Sequence, residues 1–350
     1  MQDIIIKDRV IGLGHKPFII AEMSGNHNQS LDRACEIVKA AAKAKVDAIK
    51  LQTYTAETMT INLSEKEFFI NDPNSLWQGN SLFTLYQKAY TPWEWHKAIF
   101  DLCNQYGIIC FSTPFDASAV DFLESLNVPL YKIASFENTD LALIRKVVAT
   151  GKPIIISTGM ASLSELDEAV RVAREAGCEN LILLKCTSAY PASPDDSNIR
   201  TISHMRDLFQ CQVGLSDHTL GVGAAVASVA LGATVIEKHF TLSRSEGGVD
   251  SAFSLEPSEM QLLVDETERA WRSLGKITYE ASEKEKASLV YRRSLYVVED
   301  MNKGDIFSLT NVRAIRPGFG LLPKYLPQLL GKRINRDVQK GTPVAWELIG

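Results

Sequence analysis

Two histidines close short apolar runs: His218 ends QVGLSDH and His239 lies in VIEKHFT, each two residues after a polar group, Ser216 and Glu237. On neighbouring strands at equal height, two such imidazoles converge. They would then either hold a first-row divalent metal with positions left open for a substrate oxygen and water, or simply hydrogen-bond as a pair. No H-x-x-x-H string or cysteine partner decides between the two. Other apolar runs are interrupted in the same way. Glu22 and Ser24 end FIIAEMS, Lys50 and Gln52 lie in AIKLQT, Thr113 in IICFSTP, Lys132 and Ser135 in LYKIAS, and Ser157 and Thr158 in PIIIST. NLILLKCT brings Lys185 and Thr187 inward at one parity, with Ser188 and Tyr190 just beyond. Lysines among this many hydroxyls form a dense donor set for an anion carrying both phosphate and carboxylate. A small, multiply charged substrate fits that set better than an apolar one.

Each residue alone has a plainer explanation: a core ion pair, a snorkelling lysine, a satisfied histidine. Together they turn every run polar at its C-terminal end. The eight runs are continuous rather than alternating, the pattern of strands buried on both faces. Amphipathic segments such as LDRACEIVKAAAKAK and SLSELDEAVRVAREAG separate them, with start signals (Ser162, Glu165) and stop signals (Ala176–Gly177). Eight such units in about 250 residues predict a (β/α)8 TIM barrel, whose chemistry sits at the C-terminal ends of its strands. A doubly wound sheet is the alternative and rarely needs eight regular units.

One unit is longer than the rest. Residues 54–90 form an aromatic-rich insertion after the second strand, either a wall over the pocket or a piece with its own small core. Past a helix near 257–274 the composition changes. The barrel is expected over 1–275, a polar linker over 276–290, and a small β-rich domain over 291–350 with four β-like runs: RRSLYVVED, VRAIRPG, LLGKRINRDV and PVAWELI. That tail gathers arginines, Arg316 among them, which form a solvated face or serve an anionic substrate.

The 350 residues carry a net charge of -5, which argues against nucleic acid or an anionic membrane as partner. No apolar run approaches a membrane span, and no signal peptide is visible. Six scattered cysteines without a CxxC pair read as reduced thiols, so a cytoplasmic location is expected.

The strings AEMSGNHN, IKLQT, FSTPFD, YKIAS, STGM, CTSAYP, GLSDHT and EKHFT, in that order, resemble the sialic acid synthase family, and the tail resembles its antifreeze-like (SAF) domain. Within the family, AEMSGNHN and GGVDSAFSLEP look like the pseudaminic acid branch; sialic and legionaminic branches typically show a GPDH-type string where this chain has GVDS. The resemblance implies condensation of phosphoenolpyruvate with an open-chain diacetamido-trideoxy hexose, consuming water and releasing phosphate. It implies that Lys50, Thr113, Lys132, Ser135, Ser157 and Ser216 hold phosphoenolpyruvate, joined by Ser188, where the family often has Asn. His218 and His239 would bind a divalent metal, Mn2+ or Mg2+. Glu22, Tyr190 and Asp250 would contact the sugar, with Asn80 from the insertion, and Arg316 would arrive from the partner of a domain-swapped homodimer. Glu22 would stabilise the developing cation, orient the water or take its proton. Competing readings are a neuraminate or legionaminate synthase, a non-catalytic sugar-binding protein, and a Schiff-base aldolase using Lys132 or Lys185.

Overall fold

The computed structural model describes residues 2–350. They form two compact units, residues up to Gly275 and Lys276–Gly350.

The first unit opens with a hairpin, β1 (Ile4–Ile6) and β2 (Arg9–Ile11). Eight parallel strands follow: β3 (Phe18–Glu22), β4 (Ala48–Thr53), β5 (Ile109–Pro114), β6 (Tyr131–Ile133), β7 (Ile154–Ser157), β8 (Leu181–Cys186), β9 (Gln212–Asp217) and β10 (Val235–His239). They close into a barrel through β10 pairing with β3. A helix follows every strand, from Leu31–Lys43 after β3 to Pro257–Leu274 after β10. The expected TIM barrel is what forms. Local signals explain the helices: Ser162 and Glu165 make a reciprocal capping box, and Gly177 takes the φ of 97° that ends the same helix.

Inside the barrel, Phe18, Phe111, Ile155 and Leu184 fill the lower layers, and Ile4, Ile6 and Ile11 of the hairpin join the same cluster. The lower end is therefore plugged by apolar side chains. Residues of opposite parity, such as Leu181 and Leu183, pack outward against the helices.

That parity corrects one expectation. On β8 the inward residues are Ile182 and Leu184, so Cys186 continues them and Lys185 faces the helix layer. Lys185 is half-buried there and donates to the carbonyl of Cys186 and to Thr187 Oγ1 at 2.8 and 3.3 Å. Both faces of NLILLKCT are apolar, so the sequence pattern carries no signal of which side turns in.

The second unit begins with exposed residues and a capped turn of helix, Glu283–Lys286, inside the stretch expected to be a linker. Its strands β11 (Ser294–Val297) and β12 (Val312–Ile315) pair antiparallel. Of the four β-like runs, only these two form strands. LLGKRINRDV and PVAWELI make isolated bridges instead, such as Met301 with Val338 and Tyr296 with Pro343, because a tight turn at Gly331 interrupts the first and a 3-10 turn, Trp346–Leu348, interrupts the second. Leu295, Val297, Phe307, Val312 and Val344 form a separate core.

Candidate active site

Parallel register brings the interrupting residues level. Glu22 is opposite both Lys50 and His239, Glu237 is opposite Ser216, and Cys186 is opposite Ser216. One polar layer therefore crosses the upper barrel. Lys50 Nζ lies 2.6 Å from Glu22 Oε2 and 3.7 Å from Glu237 Oε1, and also donates to Thr113 Oγ1 at 3.2 Å. Lys132 Nζ reaches the same Glu237 oxygen at 3.7 Å, and Ser216 donates to it at 3.3 Å. All of these side chains are buried.

The charges respond to burial and to each other. Burial raises the Glu22 carboxyl, and Glu237 adds to this against the pull of Lys50. Burial would likewise raise Glu237, but Lys132, Lys50 and His218 outweigh it and hold that carboxyl low. Lys50 is pushed down by burial yet ends raised, because two carboxylates face it. Lys132 ends lowered: burial dominates, and Glu237 only partly offsets it beside Lys50. Lys132 thus shares its nearest carboxylate with Lys50, and an anionic substrate would add counter-charge there.

The hydroxyls gather beside these lysines. Ser135 Oγ accepts from the Gly159 N–H at 3.1 Å, and Ser157 Oγ is buried without a partner. A Cβ on Gly159 would collide with Ser188 Oγ and lie 2.7 Å from Ser135 Oγ, so only glycine leaves this cradle open. Asn138 donates to the carbonyls of Ser157 and Gly159 at 3.3 and 3.2 Å and braces the turn.

The two histidines do converge, with ring centroids 5.3 Å apart. His218 Nδ1 lies 2.9 Å from the Thr187 carbonyl, which places its proton there and leaves Nε2 free. His239 Nδ1 is buried without a hydrogen bond, 3.9 Å from Asp250 Oδ2. Burial first, then His218 and the lysines, hold His239 well below the usual histidine range, so it is a neutral imidazole. Burial would lower His218 as well, but Cys186, the Thr187 carbonyl and Glu237 outweigh it and raise that imidazole, so a metal at the pair would compete with a proton on His218 for Nε2. Among the described residues no group of three or more His, Cys, Asp or Glu side chains is arranged to hold one. Any metal at the pair would complete its shell with substrate and water.

Tyr190 covers the pair, its ring 4.5 Å from His218 and 5.2 Å from Phe253, which stands edge-on to His239 at 4.9 Å. Asp250 is buried and accepts from Ser24. Burial raises its carboxyl against the opposing effects of Ser24 and His218. The loop carrying Asp250 is held by Asn26 of the GNHN string, which donates to the Phe240 carbonyl at 3.0 Å and to Ser254 Oγ at 2.8 Å. The insertion serves as a wall rather than a separate core. Trp77 donates to the Val249 carbonyl at 2.9 Å with its ring 5.8 Å from Tyr190, and Gln29 ties to the carbonyls of Lys88 and Tyr90.

One expected residue stands apart from this constellation, and another lies in the second unit. Asn80 is occupied by the Trp77 carbonyl and Lys88, at 3.0 Å each, and lines an outer cleft of about 400 Å3 with Trp77, Asn28 and Gln29. Arg316 belongs to the second unit, where it is exposed beside β12.

Sequence reasoning missed Cys186, Gly159 and Phe253. Cys186 Sγ lies 3.9 Å from His218 Nδ1 and 3.8 Å from Ser188 Oγ. Burial raises its thiol, but His218, Ser135 and Lys132 bring it down to about 7. No spacing signal marked it once Lys185 was read as inward. Gly159 was visible within STGM, but the close approach that requires it is tertiary.

Residues 37–279 match the NeuB family model and residues 292–349 the SAF domain. The chain is 44% identical over 326 residues to a pseudaminic acid synthase of Campylobacter jejuni, covering 93% of this chain and 94% of that one. It is 40% identical over 333 residues to one of Helicobacter pylori, covering 94% and 96%. A crystal structure of N-acetylneuraminic acid synthetase from Leptospira borgpetersenii in complex with citrate aligns with a TM-score of 0.74 at 32% identity, over 83% of this chain and 96% of that one. With a family match over most of the barrel and these identities over nearly its whole length, the chain belongs to the NeuB family.

Proposed function

We propose that this chain is a pseudaminic acid synthase. It condenses phosphoenolpyruvate and water with 2,4-diacetamido-2,4,6-trideoxy-L-altrose, yielding pseudaminic acid and phosphate. The observation that carries this reading is a pair of buried lysines, Lys50 and Lys132, that share Glu237 at 3.7 Å each, beside the unpartnered Ser157 hydroxyl and the converging imidazoles of His218 and His239.

Phosphoenolpyruvate adds negative charge beside these lysines. Lys50, Lys132 and Thr113, with Ser135, Ser157, Ser188 and Ser216, hold its phosphate and carboxylate. Its methylene carbon attacks the sugar aldehyde, whose oxygen takes up a proton. Positive charge then grows at the enol carbon, where water adds and loses a proton. Collapse of that adduct breaks the carbon–oxygen bond, and the lysines stabilise phosphate as it departs. Glu22 sits among these groups as the carboxylate that faces the cation and the incoming water. A divalent metal, Mn2+ or Mg2+, held by His218 and His239 would polarise the aldehyde carbonyl. Tyr190 and Asp250 meet the sugar, and Trp77 with Tyr190 limits water. A homodimer in which Arg316 serves the partner's site, and a cytoplasmic location, belong to the same reading.

The test is phosphate release from phosphoenolpyruvate with Mn2+ and a panel of amino sugars, with mass spectrometry of the product. Release with the diacetamido-trideoxy altrose above all others supports the assignment. Better turnover of N-acetylmannosamine or the legionaminate precursor would move the chain to another branch, and no release with any sugar would rule out a synthase.

A further inference from the structure

Gln52 stands on β4 two residues past Lys50, so it faces the same interior one layer higher. Its amide spends both hydrogens inside the site: Nε2 lies 2.8 Å from Glu22 Oε1 and 3.2 Å from Ser24 Oγ. Ser24 Oγ donates its own hydrogen bond to Asp250 Oδ2, and Asp250 Oδ2 lies 3.9 Å from His239 Nδ1. Ser24 reaches both partners from a left-handed backbone with φ of 47°, an uncommon conformation for a residue other than glycine.

The direction of each hydrogen follows from charge. Lys50 pairs with the other Glu22 oxygen, so an amide oxygen turned toward Oε1 would set two acceptors against each other, and the NH2 faces it. Ser24 Oγ, accepting from Gln52, is then free to donate only elsewhere, and Asp250 is the acceptor at hand. One amide therefore orients a string that runs from the lysine end of the site to the histidine end.

Stability alone does not call for this arrangement. Lys50 already pairs with Glu22 through the other carboxylate oxygen. Gln52 is itself only partly buried, so water is available to its hydrogens.

We propose that Gln52 is a positioning residue for the reaction. It holds Glu22 Oε1 and, through Ser24, Asp250 Oδ2 in fixed relation, so that the carboxylate facing the cation and the carboxyl facing the sugar keep one geometry. This rests on the synthase reading above.

Three variants test it in the full chain: Gln52→Met, which keeps length and removes both donors, Ser24→Ala, and the double variant. Steady-state rates with phosphoenolpyruvate and the diacetamido sugar are measured beside urea unfolding. The Gln52→Met protein should fold normally, keep its KM for phosphoenolpyruvate within about threefold, and lose kcat by about 30- to 100-fold, the scale of a misplaced reacting group. Ser24→Ala should lose about tenfold, and the double variant should fall no further than Gln52→Met, because both changes cut one string. A kcat within threefold of wild type in Gln52→Met, or losses that multiply, would overturn the role. Absence of turnover by wild type itself would overturn the synthase reading and this role with it.

Discussion

Lys50 Nζ stands 2.6 Å from Glu22 Oε2 with both side chains almost wholly out of water, 4% and 1% exposed. Two buried carboxylates, Glu22 and Glu237, depend on this ammonium. Lys50→Met should cost about 3–5 kcal/mol, because it leaves buried charge unpaired. The deficit should shrink as pH falls and the carboxylates take up protons. Urea unfolding at several pH values checks both, and a loss under about 1 kcal/mol would show that the three groups are not energetically linked.

His239 offers a buried nitrogen with no partner. His239→Ala should fold but bind Mn2+ at least about 100-fold more weakly by calorimetry, and chelation should abolish wild-type turnover. Full activity in chelator-treated protein would dismiss the metal.

Lys238 differs from its neighbours although it lies between Glu237 and His239. It points away from the barrel interior and donates to Asp217 Oδ2 at 2.8 Å and to the Thr219 carbonyl at 2.7 Å, with the Lys238 side chain fully buried. Lys238→Met should destabilise by about 3–5 kcal/mol, and joint replacement with Asp217→Leu should recover much of that. In either variant the folded fraction should keep wild-type kcat. A specific loss of kcat at unchanged stability would place Lys238 in the chemistry.

His27 and His96 are buried and held down to about 4, chiefly by burial. His96 shares a hydrogen with Thr53 Oγ1 at 2.8 Å and faces the Pro92 carbonyl at 3.2 Å, so it is built to be neutral. Between pH 6.5 and 4 the unfolded chain binds a proton at each position and the folded chain does not. Stability should therefore be intact above about 6.5 and fall as pH drops through that window. The slope should approach about 1.4 kcal/mol per pH unit for each histidine. Replacing His96 with Gln should remove about half of this slope in denaturant titrations, and an unchanged slope would assign the acid sensitivity elsewhere.

The second unit has a core of its own. A chain ending at Gly275 should retain a cooperative unfolding transition yet use the sugar poorly, and Arg316→Ala in the full chain should raise the sugar KM about tenfold or more. Unchanged kinetics in both proteins would remove Arg316 from the site.

Legibility varied with how strongly local chemistry marks a position. Charges inside otherwise apolar runs are costly, so Glu22, Lys50, Lys132, Glu237 and His239 stood out, and strand parity placed them together at one end. The capping box at Ser162 and Glu165 was readable for the same reason, since only nearby residues take part.

The amino-acid sequence by itself determined the eight-unit barrel, the end at which it turns polar, and most of the ring that lies there. Only the tertiary structure decided that Cys186, not Lys185, faces inward on β8. That strand is apolar on both faces, so nothing local distinguishes its two registers, and barrel closure makes the choice. Closure likewise decided that Gly159 must leave room for Ser135 and Ser188, and that Gln52 joins Glu22 to Ser24 and Asp250. Those relations link residues as far as 226 positions apart, a separation over which spacing in the chain carries no geometric information.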